Sequence, residues 1–304
     1  CVQKYLIEHT SPNTNKALHI GHLRNNVYAM ATYRLLVATG NKVVLDCVYN
    51  DRGIHVCKAI WGYLKKDYLD KPIKEVIVTY KKINKEWWSP EKQNISPDSF
   101  VSECYKVGVL NEKEEINAQE IKWLLLEWEN GNKTILNIWK KLNNWAYSGF
   151  KKTYKTIGSV HHYNWYESSF YKKSKQLIKT GLEKGVFVKL EDGAVLSDLK
   201  NYNLTDTILQ RSDGTSMYFT QDIFLTQSKV NKFKADKYIW VVGKEQDLHF
   251  KQLFAICDQM NIGKLENFQH LNYGYVFWKD GKKMSSREGN VMSIDSLLQD
   301  TKEK

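Results

Sequence analysis

Tyr5-Leu6-Ile7-Glu8-His9, Thr10-Ser11-Pro12-Asn13-Thr14-Asn15-Lys16, a stretch from His19-Ile20-Gly21-His22 to Thr39, Gly40-Asn41, then Lys42-Val43-Val44-Leu45-Asp46-Cys47-Val48: this succession decides the fold. The first and last runs are short and apolar, as buried strands are, and the stretch between them has helical length and ends at a glycine. Two strands joined by a helix pair in parallel through a right-handed crossover. The fold class is therefore α/β, a Rossmann-like parallel sheet of the nucleotide-binding kind. In such sheets the loop after the first strand is where nucleotides bind.

Downstream the character changes. Between about Gly62 and Gly149 lie Trp87, Trp88, Trp123, Trp128, Trp139 and Trp145, six of the ten tryptophans, and they are expected to anchor helix packing. Glu115–Glu127 and Lys133–Tyr154 read as amphipathic helices broken at Asn130-Gly131-Asn132. Residues 62–155 are thus expected to form a mainly helical insertion between two halves of one α/β domain, 1–61 and 156–304. Strand-like sequence returns from about Val186 to Thr220, with turns at Glu191-Asp192-Gly193 and Ser212-Asp213-Gly214. Lys237–Gly243 reads as a buried strand, followed by a helix around His249 to Met260.

The 304 residues suit roughly two domains of about 150 each. A hydrophobic share of 42% and a charged share of 26% argue against disorder. No apolar run approaches the roughly 18 residues of a membrane span, and no charged-then-apolar leader opens the chain. Because the chain starts at Cys1 and moves directly into strand-like sequence, it is taken as a fragment. The five cysteines are odd in number, far apart and without a Cys-x-x-Cys pair, which excludes a zinc ribbon and makes them buried thiols of a reducing, cytoplasmic compartment. The net charge of +11 suits a polyanionic partner, and equally a lysine-rich surface.

His19-Ile20-Gly21-His22 carries the sharpest local chemistry. It sets two imidazoles three residues apart, on one face, at the start of a helix that follows a parallel strand. The helix N-terminus is expected to offer backbone N–H groups and partial positive charge to a phosphate. Gly21, lacking a Cβ, lets a base or ribose approach the backbone. The bland alternative is a pair of capping or metal-binding histidines. About 260 residues later stands Lys283-Met284-Ser285-Ser286-Arg287, which alone is a basic loop.

Together, in this order, the two motifs resemble the signatures of class I aminoacyl-tRNA synthetases. Ser11-Pro12-Asn13, Glu167-Ser168-Ser169, Arg211–Thr215 leading to Tyr218–Asp222, and Val242–Phe250 narrow the resemblance to arginyl-tRNA synthetases, over the chain up to about Ile294 and most weakly across residues 62–130. The resemblance implies an enzyme that activates L-arginine with ATP, assisted by Mg²⁺, and passes the arginyl group to the acceptor end of tRNA(Arg). On that basis Glu167 and Asp222 face the guanidinium, Tyr218 and Gln246 make further arginine contacts, and Asn13 lies near the amino acid's backbone end. A planar cation with several donors does need fixed acceptors of this kind. ATP falls to His19, Gly21, His22, His249, Lys283, Ser285 and Ser286. No protein metal site is expected, and no membrane.

One departure stands out: Ser286 occupies the fourth position of the second motif, where the class pattern has lysine. Many arginyl enzymes share this loss and carry a lysine just before the first motif. Lys16 is therefore expected to supply part of the missing charge, beside His19, His22 and Lys283 as catalytic residues. The family also has an N-terminal domain touching the tRNA elbow and a C-terminal anticodon-reading domain. Neither is expected here, so the fragment should bind small ligands better than it turns them over. Two alternatives stay open: a non-catalytic, synthetase-derived RNA-binding or regulatory module, and another class I enzyme such as a cysteinyl one. The latter would want zinc-binding thiolates, and the cysteine spacing supplies none.

Overall fold

Leu6 and Ile7, adjacent in the first strand, are both fully buried, because that strand is covered on both faces. The structure is a computed structural model and describes residues 2–214, 217–274, 277 and 292–302, with backbone alone at Lys175 and Tyr218. In chain order its elements begin with β1 (Lys4–Glu8), α1 (Ile20–Ala38), β2 (Lys42–Tyr49), α2 (Ile54–Lys65), α3 (Ile73–Ile83), α4 (Pro90–Gln93), α5 (Pro97–Asn111), α6 (Glu115–Glu129) and α7 (Lys133–Ile157). They continue with β3 (Tyr163–Tyr166), α8 (Glu167–Glu183), β4 (Phe187–Lys189), β5 (Val195–Ser197), β6 (Thr207–Gln210), α9 (Tyr218–Phe233), β7 (Lys237–Gly243), α10 (Asp247–Gln259), β8 (Phe268–Tyr273) and α11 (Ile294–Lys302).

Two compact units can be separated. The first comprises Cys1–Ser11, Arg24–Val48 and His161–Asn290 and contains both sheets. Its main sheet runs β3-β2-β1-β7-β8. β1 pairs in parallel with β2, setting Glu8 opposite Asp46, and with β7, setting Glu8 opposite Trp240; β8 continues parallel to β7. Strand alternation then divides the core. Leu6 packs with Leu177, Ile223, Trp240, Phe250 and Phe254 on one face, while Ile7 joins Ala29, Met30, Leu45 and Val241 on the other. The small sheet β4-β5-β6 is antiparallel.

The second unit comprises Pro12–Leu23, Tyr49–Val160 and Val291–Lys304, and helices α2 to α7 make up most of it. Tyr63 is its aromatic centre, with rings of Tyr80, Trp87, Trp88, Phe100 and Trp145 all within 6.4 Å, centroid to centroid. The indole N–H groups of Trp87 and Trp88 both donate to the Tyr63 carbonyl, at 2.9 and 2.7 Å. Trp87, Trp88 and Trp145, three of the six tryptophans named from the sequence, pack in this cluster. Helices α2 and α5 meet through two glycines: a Cβ on Gly62 would lie 1.9 Å from the Cys104 carbonyl oxygen, and one on Gly108 2.2 Å from that of Lys58. Only glycine permits that approach. The break before α7 is a cap, the Asn132 side chain accepting from the backbone N–H groups of Thr134 and Ile135.

Cys47, Cys57, Cys104 and Cys257 are buried free thiols. No helix among the described residues is long and apolar enough to cross a membrane.

Candidate functional site

The first motif folds into a helix cap built from two imidazoles. His19 immediately precedes α1, so it occupies the capping position, and His22 is the third helical residue. The Gly21 N–H donates to His19 Nδ1 at 3.1 Å, and the His19 N–H donates to His22 Nδ1 at 3.2 Å. These are the reciprocal bonds of a capping box, with ring nitrogens in place of the usual oxygens. The rings lie 3.9 Å apart. A Cβ on Gly21 would come within 2.9 Å of the His19 ring, so glycine makes room for it.

This cap corrects one expectation. The first four N–H groups of the helix are all occupied: Ile20 donates to the Met292 carbonyl, Gly21 to the His19 ring, and His22 and Leu23 to the His19 carbonyl. The backbone therefore holds no free donors there for a phosphate. The rings do. Burial, reinforced by Lys16, holds His19 at a pKa of about 4, and burial with His19 and Lys16 holds His22 well below the usual histidine value. A neutral imidazole whose Nδ1 accepts a hydrogen bond carries its proton on Nε2. Both rings thus present an Nε2–H donor.

Lys16 lies in the same unit, its ammonium 5.3 Å from the centre of the Tyr105 ring. Asn13 is exposed, and its backbone bridges Asn50 in parallel register. The Leu18 carbonyl accepts from the Ile294 N–H at 3.1 Å, and His19 bridges Ser293, so the motif is stitched to the chain just before α11. Lys283, Ser285 and Ser286 lie outside the described residues.

In the sheet-bearing unit, Asp222 sits in the second turn of α9, and His249 in the first turn of α10. Their side chains meet, His249 Nε2 lying 2.9 Å from Asp222 Oδ2, with the His249 ring edge-on to Phe219. Glu167 opens α8 and is buried. Helices α8 and α9 are held together beside these carboxylates by the stacked rings of Phe170 and Phe224. Gln246 is exposed at the end of a 3₁₀ turn and shares no hydrogen bond with Asp222 among the described residues. The backbone of Tyr218 starts α9 four residues before Asp222; its side chain is outside the described atoms. The structure therefore joins Asp222 to His249, which the sequence assigned to different ligands.

Sequence reasoning missed the backbone beneath the loop. Thr10 and Ser11 have φ of 68° and 39°, a region a β-branched residue adopts only under constraint, at about 1–3 kcal/mol. The constraint is visible: Thr10 N–H donates to Asn25 Oδ1 at 2.7 Å, Asn26 Nδ2 to Thr10 Oγ1 at 3.1 Å, and the Ser11 hydroxyl to Glu8 Oε1 at 2.8 Å. The run of hydroxyl and amide residues in Thr10–Asn15 was the available signal.

No three His, Cys, Asp or Glu side chains among the described residues gather as a metal-ligand set.

Comparison with known proteins bears on this geometry. Residues 2–304 match the family model for tRNA synthetases class I (R), catalytic domain. The chain is 40% identical over 299 residues to the arginine–tRNA ligase of Treponema denticola, covering 97% of this chain and 48% of that protein. It is 39% identical over 309 residues to that of Borreliella afzelii, covering 99% and 50%. The chain thus spans about half the length of the curated relatives it matches. Its fold resembles the arginyl-tRNA synthetase of Plasmodium falciparum, with a TM-score of 0.74 at 18% identity over 99% of this chain and 45% of that one. It also resembles that of Thermus thermophilus, at 0.65 and 19%, over 99% and 52%. The chain belongs to the family of class I tRNA synthetases specific for arginine, as a catalytic domain.

Proposed function

We propose that this domain activates L-arginine with ATP and transfers the arginyl group to the acceptor end of tRNA(Arg), in the cytoplasm. One observation carries the chemistry: two neutral histidines, locked by their own cap into the Nε2–H tautomer, in a chain of the arginine-specific family. The arginine carboxylate attacks the α-phosphorus, the bond to the bridging oxygen breaks, and pyrophosphate leaves. A terminal tRNA hydroxyl then attacks the arginyl carbonyl and AMP departs. His19 and His22 donate to phosphate oxygens as negative charge shifts toward the leaving group, without themselves titrating. Gly21 keeps the His19 ring in place and the approach open.

Asp222 and Glu167 are the acceptors for the guanidinium, with Tyr218 and Gln246 as further contacts and Asn13 near the amino acid's backbone end. His249 holds one Asp222 oxygen and lies toward the nucleotide. Lys16 contributes positive charge beside the histidines and Lys283 does so on the phosphates, where Ser285 and Ser286 offer hydroxyl donors. Mg²⁺ bound with ATP would supply neutralisation of phosphate charge; no residue of this chain is assigned to it. Residues 62–155 form a helical insertion between the two halves of the domain, 1–61 and 156–304. The basic balance of the chain favours salt-sensitive contact with the tRNA.

The test is ATP–pyrophosphate exchange with tRNA(Arg) present. Exchange that depends on arginine, and is not supported by lysine or cysteine, is the expected result. Binding of tRNA without any exchange or small-ligand binding would favour an RNA-binding module instead.

A further inference from the structure

Lys229, in the second turn from the C-terminus of α9, is completely buried. Its ammonium lies 2.6 Å from Glu8 Oε2 and 2.6 Å from Asp46 Oδ2, the two acids set opposite each other on β1 and β2. Trp165 Nε1 donates to the same Asp46 oxygen at 2.8 Å, and the ammonium stands 5.8 Å from the centre of the Trp240 ring on β7. The other Glu8 oxygen accepts from the Ser11 hydroxyl, in the strained loop. Burial works against the charged lysine, yet the two carboxylates outweigh it and raise its pKa; burial raises that of Asp46, partly offset by Lys229.

Three charged groups are an uneconomical way to fill a core. Desolvation offsets most of the attraction, and apolar residues of the same volume commonly serve stability as well. What the cluster adds is direction. The hydrophobic effect carries no direction of its own. An ammonium held at 2.6 Å by carboxylates on two strands has a defined direction to each. Lys229 follows Asp222 by seven residues, two turns along, about 20° off the same face and about 10 Å down the axis. A clamp at Lys229 therefore sets both the axial and the rotational position of the Asp222 carboxylate.

We propose that Lys229 is a positioning residue: clamped by Glu8 and Asp46, it fixes where α9 holds Asp222 and so the selectivity for a guanidinium group. The inference rests on the assignment of Asp222 to arginine.

The experiment is calorimetric titration of the chain with two probes, the non-hydrolysable 5′-O-(arginyl-sulfamoyl)adenosine and 5′-O-sulfamoyladenosine, which lacks the arginyl group. In Lys229→Met the arginyl probe should lose about tenfold or more in affinity while the plain nucleoside changes less than about twofold. Lys229→Arg should restore most of the arginyl preference. Should Lys229→Met fail to fold because two acids are left unpaired, the neutral triple Glu8→Gln, Asp46→Asn, Lys229→Met removes that cost and should show the same selective loss. Equal loss of both probes, or no loss of either in a folded variant, would overturn the proposal and leave the cluster a purely structural one. An unsubstituted chain that shows no preference for the arginyl probe over its lysyl counterpart would overturn the arginine assignment itself, and the proposal with it.

Discussion

His249 Nε2 lies 2.9 Å from Asp222 Oδ2, so the carboxylate assigned to arginine is braced by a side chain from the next helix, α10. A guanidinium fork demands that its acceptor stand still, and a braced carboxylate loses less freedom when it binds. Asp222→Asn should weaken the arginyl-adenylate analogue by about 10- to 100-fold, the range of a hydrogen bond to a charged group. His249→Ala should weaken it less, since the acceptor remains but wanders. Calorimetric titration of both variants measures the difference.

The cap of α1 makes stability depend on pH with a defined sign. His19 has a pKa of about 4 in the folded chain and His22 lies well below its usual value, against about 6.5 when unfolded. Between those values the unfolded chain binds more protons, so stability is lost as pH falls from about 6.5 toward 4. Thermal unfolding should show a lower Tm at about pH 5 than at about pH 7, and the double variant His19→Asn, His22→Asn should flatten that dependence.

Gly21→Ala should separate stability from binding. An alanine inside a helix ordinarily favours the helix by about 0.5–1 kcal/mol. Here its Cβ would lie 2.9 Å from His19 Cε1 and 3.0 Å from Nδ1, so the ring must move. The expected outcome is a Tm within a few degrees of the unsubstituted chain and ATP affinity reduced about tenfold, read by calorimetry.

Lys16 stands three residues before the histidine pair, and it helps lower both of their pKa values. Lys16→Ala should slow arginine-dependent pyrophosphate exchange by about 10- to 100-fold while changing arginine affinity little, because the role proposed for it is on the phosphates. Unchanged exchange would remove Lys16 from the catalytic set.

The crossing of α2 and α5 has no slack. Gly62→Ala would drive a Cβ to 1.9 Å from a backbone carbonyl oxygen that cannot rotate away, so the helices must separate. A loss of about 1–3 kcal/mol or more, seen as a lowered Tm with altered near-ultraviolet circular dichroism of the Tyr63 cluster, is the expected result.

Local pattern carried much of this structure. The apolar run Lys237–Gly243 became β7 with the same bounds, and the helix read from His19 to Thr39 became Ile20–Ala38. The interruption at Asn130-Gly131-Asn132 became the cap of α7, since Asn, Gly and Asn are what a helix end needs. What could not be read were relationships among distant residues. Glu8, Asp46 and Lys229 each sit in an ordinary strand or helix, and only the parallel register of β1 and β2 reveals them as one cluster. The same holds for Asp222 and His249, which belong to consecutive helices whose packing no periodicity encodes. The tautomer of the histidine pair was hidden for a different reason. It depends on which nitrogen takes the backbone N–H, which is set by ring rotamers rather than by spacing.

The most direct measurement is titration of the chain with 5′-O-(arginyl-sulfamoyl)adenosine beside its lysyl and cysteinyl counterparts, which needs no tRNA. Tight binding of the arginyl compound alone, abolished or reduced by at least tenfold in Asp222→Asn, is the result the proposed function predicts. Equal affinity for all three, or arginyl binding indifferent to Asp222, would contradict it.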